Sequence, residues 1–193
     1  MPDSVSNEIK IVHGRHLKLF KDSDTIASRI KEMGNSLTDA HRENHPIVIG
    51  ILNGAFIFTA DLIREIKVPC KVDFWRLSSY GTQTTSKQSI QEIMSPILDL
   101  RDQHVILVED IIDSGTTLTY VRQKLQGFAP KSVTVVSLVK VNGSPVEVDY
   151  VGFISNGEFI VGYGLDIAEG LRELPELYYL DSSASIACDL KEG

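Results

Sequence analysis

Four consecutive apolar residues, Val105–Val108, run directly into Glu109 and Asp110, and then through Ile111 and Ile112 into Asp113-Ser114-Gly115-Thr116-Thr117. An unbroken apolar run is the pattern of a strand covered on both faces, which requires a parallel sheet between helices. The two acids stand where such a strand ends and the ligand crevice of a parallel sheet opens. The Gly/Ser/Thr stretch leads into Leu118, Val121 and Leu125, an apolar stripe at helical spacing. A loop of that kind at a helix start offers unpaired backbone N–H groups and the positive end of the helix dipole. It is an anion site, and phosphate is the usual anion.

Two carboxylates beside a phosphate loop would repel the ligand unless something neutral or cationic lies between. Ribose hydroxyls donate to carboxylates, and Mg²⁺ takes carboxylate together with substrate oxygens. A ligand with a phosphate at one end, a diol in the middle and a metal-bound diphosphate satisfies all of these groups. An isolated Glu-Asp pair would read as a solvated acidic turn; the full run of Val105–Thr117 favours a ligand site.

This run resembles the phosphoribosyl-diphosphate (PRPP) motif of the type I phosphoribosyltransferases. The resemblance implies that Glu109 and Asp110 bind the ribose hydroxyls and that Ser114, Gly115, Thr116 and Thr117 hold the 5′-phosphate, with Ile111 and Ile112 in the same site. It implies that Asp113 handles the proton of a purine nitrogen, as the catalytic residue.

The 193-residue length suits one domain, 1–193, with a full core. Apolar and charged fractions of 42% and 23% are those of an ordinary globule, and a formal charge of −7 argues against a broad nucleic-acid surface. No apolar run reaches membrane-span length and no signal-peptide core is expected, so the setting expected is the cytoplasm. Cys70 and Cys188, far apart, read as free thiols in a reducing compartment.

Met1–Glu8 reads as a loose polar start and Ile9–Phe20 as extended chain. Asp22 and Ser23 can cap a helix with the stripe Ile26, Ile30, Met33 and Leu37, ending before His45-Pro46. His41 and His45 flank Glu43, but this is not the H-E-x-x-H zinc pattern and Pro46 spoils a helix there; His13 and His16 offer no better metal site. Ile47–Leu52 is a second buried strand, and Asn53-Gly54-Ala55 is a second candidate ligand turn before a helix through Ile66. Taken alone it is a plain strand–helix connection; by the resemblance, this loop contacts diphosphate. Many members carry a basic residue where this chain has Asn53, so no charge contact is expected there.

Val72–Leu77 reads as a strand, and Ser78–Ser95 as one long polar stretch, either a disordered insert or a functional lid. In the family a mobile loop beginning near a Ser-Tyr pair, here Ser79-Tyr80, closes over the site and keeps water from the activated sugar. Ser132–Val139 is a further strand ending at Lys140, and the matching lysine of purine-salvage members binds the 6-oxo group. An ammonium only donates, which favours an oxo base over an amino base. Asp149–Ile154 and Phe159–Tyr163 read as strands joined by an Asn156-Gly157 hairpin turn.

The segment Phe159–Asp166 (F-I-V-G-Y-G-L-D) is a second match and points to the hypoxanthine-guanine branch. The resemblance places Phe159 on the purine face, Ile160 backbone at the base edge, Asp166 at a second Mg²⁺ through water and Arg172 on diphosphate. Glu109, Asp110 and Asp166 are the expected metal contacts, and Mg²⁺ the cofactor. The fold expected is α/β, a mainly parallel sheet with helices on both faces and a small hood lobe from the two chain ends. The activity expected is phosphoribosyl transfer from PRPP to a 6-oxopurine, hypoxanthine and then guanine, in a homodimer or homotetramer. A xanthine- or guanine-preferring relative is the alternative within enzymes. A PRPP-sensing regulator is the alternative outside them, disfavoured by the absence of a basic face.

Overall fold

The computed structural model of the chain describes residues 9–80 and 89–181; Met1–Glu8, the middle of the expected lid (81–88) and Cys188 lie outside the described residues. The chain divides into two compact units, Met1–Ser28 with Glu158–Gly193, and Arg29–Gly157. The elements in order are β1 (Ile9–Val12), β2 (Arg15–Lys21), α1 (Ser23–Ala40), β3 (Ile47–Leu52), α2 (Phe56–Glu65), β4 (Lys71–Tyr80), β5 (Ser89–Met94), β6 (His104–Ile112), α3 (Thr116–Phe128), β7 (Ser132–Val141), β8 (Tyr150–Ser155), β9 (Ile160–Val161) and β10 (Leu177–Leu180).

The larger unit holds a six-stranded sheet in the order β5-β4-β3-β6-β7-β8. Every pairing in it is parallel except β4 with β5. The apolar runs of β3 and β6 are buried because both faces are covered. Ile47, Ile49 and Ile51 of β3 pack with Val105 and Leu107 of β6 and with Leu118, Val121 and Leu125 of α3. The alternate residue Gly50 faces the other way, where an added Cβ would crowd the Thr59 hydroxyl of α2 at 2.6 Å. Helices thus cover both faces, as expected.

Helix α1 starts where Asp22 caps it: the Thr25 N–H donates to Asp22 Oδ1 at 2.7 Å, and this bond holds the carboxyl below its usual pKa. Its stripe Ile26, Ile30, Met33 and Leu37 is buried throughout. The smaller unit is a four-stranded antiparallel sheet, β1-β2-β10-β9, over a core of Leu17, Val161, Leu171, Leu174 and Tyr178.

Several boundaries differ from the sequence expectations. Strand β6 does not stop at Val108 but runs to Ile112, because β7 supplies ladder partners for Glu109, Ile111 and Ile112. Lys140 lies inside β7, abreast of Ile112. Ser78–Ser95 is not one continuous loop: Ser79 and Tyr80 extend β4 because Ile90 and Ser89 of β5 pair with them. Asn156-Gly157 is no hairpin turn, since β8 pairs with β7 in one sheet and β9 with β10 in the other. The Phe159–Tyr163 strand shrinks to Ile160–Val161, because Gly162, Tyr163 and Gly164 all take positive φ and curl the chain.

Away from the ligand end of the sheet, His41 and His104 meet edge-to-face with ring centroids 6.1 Å apart. His41 Nδ1 and His104 Nε2 are buried without a hydrogen-bond partner. Burial, and secondarily the neighbouring His104, push the His41 pKa down, so the fold prefers it neutral. A base depressed in the fold contributes its stability above its unfolded pKa of about 6.5 and loses it as pH falls below that value. The Tm of the wild type is therefore expected to fall between pH 7 and pH 5.5, and that of His41→Leu to fall less. The difference should be about 2–4 °C per kcal/mol in a chain of this size. Parallel pH profiles for the two proteins would contradict the assignment.

Candidate functional site

The carboxyl ends of β3, β6 and β7 come together because these strands are parallel neighbours. After β3 the chain turns at once through Asn53, Gly54 and Ala55 into α2, with the Phe56 N–H donating to the Asn53 carbonyl at 3.2 Å. The Leu52–Asn53 peptide is cis. A Cβ on Gly54 would collide with Asp110 Oδ2 and stand 3.1 Å from its Oδ1. The Asp110 carboxylate of β6 therefore lies directly against the β3 turn, which only glycine permits.

Glu109 is only 6% exposed, and its Oε2 has no hydrogen-bond partner. Burial first, and the adjacent Asp110 second, push its pKa well above the usual carboxylate range. Such a carboxyl is costly to hold in place unless something supplies donors. It lines two cavities. One, about 160 Å³, is bounded by Leu52, Gly54, Leu77, Ile90, Asp110 and Thr117; the other, about 110 Å³, is formed by the chain from Ile111 to Leu118.

The second cavity is the expected anion loop. Gly115 caps α3 in the left-handed conformation, φ 74 and ψ 11, and has no side chain with which to cap the first-turn N–H groups. The Ser114 and Thr116 hydroxyls are 2.9 Å apart, and the Thr116 N–H faces Ser114 Oγ at 3.4 Å. Asp113 and Ser114 are exposed at the loop's start. Ile112 has its side chain in the core, so that residue can offer a ligand its backbone alone.

Lys140 is half-buried on β7, directly across from Ile112. Ser79 and Tyr80 end β4, one strand beyond β3. Together with Asn53, Gly54 and the Glu109–Thr117 run, these belong to the larger unit. Phe159, Ile160, Asp166 and Arg172 belong to the smaller. There Phe159 is 55% exposed and Ile160 is buried. Arg172 donates to the Gly164 carbonyl at 2.7 Å and pairs with Asp166 at 2.8 Å and Glu169 at 3.3 Å. Two groups expected to meet ligand or metal thus hold each other. A larger cavity of about 580 Å³ lies in this unit, lined by Ile9, Lys18, Glu158, Tyr179, Leu180 and Asp181, none of them an expected site residue.

Sequence reasoning missed Leu77 and Ile90 as walls of the first cavity. The alternation of β4 hinted at Leu77, but nothing in the polar stretch around Ile90 marked it. Among the described residues no cluster of three or more His, Cys, Asp or Glu could hold a metal by itself. The adjacent oxygen donors Glu109, whose Oε2 is orphaned, and Asp110 suit Mg²⁺, which keeps most of its shell for waters and substrate oxygens.

Residues 16–168 match the model of the phosphoribosyl transferase domain family. The chain is 39% identical over 155 residues to a hypoxanthine phosphoribosyltransferase of Salmonella typhimurium, covering 78% of this chain and 87% of that one. It is 37% identical over 161 residues to a hypoxanthine-guanine phosphoribosyltransferase of Bacillus subtilis, covering 82% and 89%. It also matches the bifunctional protein TilS/HprT of Listeria monocytogenes at 38% over 167 residues, where it spans only 26% of that longer protein. The crystal structure of a Staphylococcus aureus hypoxanthine phosphoribosyltransferase superposes with a TM-score of 0.82 at 30% identity, covering 96% of this chain and 98% of that one.

The unpartnered Glu109 carboxyl has a measurable consequence. Glu109→Gln keeps the shape and removes the buried titratable carboxyl, and a site optimised for a ligand is usually suboptimal for stability. Without ligand and with chelator present, the variant is expected to melt higher than wild type, by about 2–4 °C for each kcal/mol relieved. A lower Tm would show that the carboxyl is already satisfied.

Proposed function

The chain belongs to the phosphoribosyltransferase family, and from that premise we propose that it transfers the phosphoribosyl group from PRPP to hypoxanthine or guanine, releasing diphosphate. The observation that carries this reading is the orphaned Glu109 oxygen, buried between the β3 turn and the anion loop at the start of α3. A buried acceptor wants a neutral donor, and a ribose diol followed by a 5′-phosphate provides one at the right side of the loop.

Glu109 and Asp110 take the ribose hydroxyls, while Ser114, Gly115, Thr116 and Thr117 hold the 5′-phosphate through N–H and hydroxyl groups. Asn53, Gly54 and Arg172 serve the diphosphate side, and Ser79 and Tyr80 also bind PRPP. The bond from C1 of the sugar to diphosphate breaks with its electron pair on the leaving oxygen. The purine nitrogen then bonds C1 and gives up its proton to Asp113. Positive charge developing on the sugar is stabilised by the two carboxylates of β6. Glu109 and Asp110 would hold a Mg²⁺ and Asp166 a second one through water, and bound Mg²⁺ would supply charge neutralisation at the diphosphate.

For the base, Lys140 donates to the 6-oxo group, Phe159 stacks on the ring and Ile160 offers its backbone. Both units act as one phosphoribosyltransferase domain, in a cytoplasmic homodimer or homotetramer.

Nucleotide formation from PRPP with a panel of bases tests the reading. Hypoxanthine is expected to react and adenine to fail, because adenine would leave the lysine donor unpaired. Comparable turnover of the two would remove Lys140 from base selection. Asp113→Asn keeps the size and deletes the basicity, so kcat is expected to fall by roughly 10²–10⁴. PRPP affinity should change far less, since the loop N–H groups remain. Near-normal turnover in this variant would leave Asp113 a loop-shaping residue.

A further inference from the structure

Gly115 does more than turn the chain. An added Cβ there would stand 2.7 Å from Val146 Cγ2 and closer still to Cγ1. The space a side chain would fill behind the anion loop is already taken by the branched head of Val146, from the β7–β8 connection. We infer that Val146 is a positioning residue for the PRPP phosphate: it sets the height of Gly115, and with it the direction of the first N–H groups of α3. The inference rests on the phosphate reading of this loop.

The connection that carries Val146 is itself braced. The Asn142 N–H donates to the Ser155 carbonyl at 2.8 Å and the Ser144 N–H to the Val141 carbonyl at 3.1 Å. From α3, Arg122 donates to the Glu147 carbonyl at 3.0 Å. Asp149 accepts the Val135 N–H at 2.7 Å and returns its own N–H to the Val135 carbonyl at 3.0 Å. Val146 and Val148 pack on the core cluster that includes Leu118 and Val121 of α3. A valine has a single stiff χ1, so a braced backbone fixes where its methyl groups stand. Gly115, at φ 74, is by contrast the hinge most able to drift if nothing stands behind it. The anion loop therefore has a floor made by another connection, and that connection is the one that follows Lys140.

Val146→Ala removes the floor without touching any group that contacts the ligand. PRPP Kd, measured by calorimetry on the full chain, is expected to rise about tenfold, the effect of 1.4 kcal/mol. KM for hypoxanthine should stay near the wild-type value. Val146→Thr keeps the branched shape and is expected to bind PRPP as wild type does, which separates shape from general damage. A double-mutant cycle decides the contact itself. Gly115→Ala is expected to lower Tm strongly in the wild-type background and clearly less in the Val146→Ala background, where the two Cγ clashes are gone and only the Val146 Cβ at 3.2 Å and the positive φ still oppose it. Unchanged PRPP affinity in Val146→Ala, or strict additivity of the two Tm changes, would overturn the inference. A wild-type chain that binds no PRPP would instead strike the phosphate reading, and the Tm cycle, which needs no ligand, would still decide whether Val146 sets Gly115.

Discussion

The Glu109 carboxyl sits inside the protein with one oxygen unanswered, and the ligand end of the sheet is arranged around that fact. Burial and the neighbouring Asp110 both disfavour its charge. Asp110 in turn can stand where it does only because Gly54 has no side chain to meet it. A protein that keeps two adjacent acids in a small cavity sacrifices stability, and perturbed carboxyls held this way mark functional sites.

Position on the sheet explains why the other groups gather there. Parallel order β3-β6-β7 puts three strand ends on one edge, so the β3 turn, the acid pair and Lys140 become neighbours although more than eighty residues separate the first from the last. The anion loop joins them because α3 starts four residues after β6 ends. Its backbone N–H groups and dipole suit an anion that the acid pair alone would repel. Opposite electrostatic demands are thereby met within a few residues, Glu109 to Thr117, by side chains on one side and backbone on the other.

Much of this was legible in the chain because it is local. The unbroken runs Ile47–Leu52 and Val105–Val108 signalled buried parallel strands, and the stripe Ile26, Ile30, Met33 and Leu37 signalled α1. The Gly115 turn into Leu118, Val121 and Leu125 signalled the start of α3. What stayed hidden depends on partners distant in sequence. The end of β6 was misplaced because acids at 109 and 110 look like a loop until β7 is seen beside them. Strand β5 was hidden because its pairing with β4, not its composition, makes it a strand. Asn156-Gly157 has hairpin chemistry, yet the strands on either side belong to different sheets. The reasons Gly54 and Gly115 must be glycine lie in Asp110 and Val146, which no spacing rule connects to them.

The account turns on what answers the orphaned Glu109 oxygen, and a crystal structure of the full chain with a purine nucleoside 5′-monophosphate tests that most directly. The ribose hydroxyls are expected within about 2.5–3.0 Å of Glu109 and Asp110, the range of a hydroxyl-to-carboxylate hydrogen bond. The 5′-phosphate should lie on the N–H groups of Ser114–Thr117. A nucleotide bound with its ribose turned away, leaving Glu109 Oε2 still without a partner, would contradict the account.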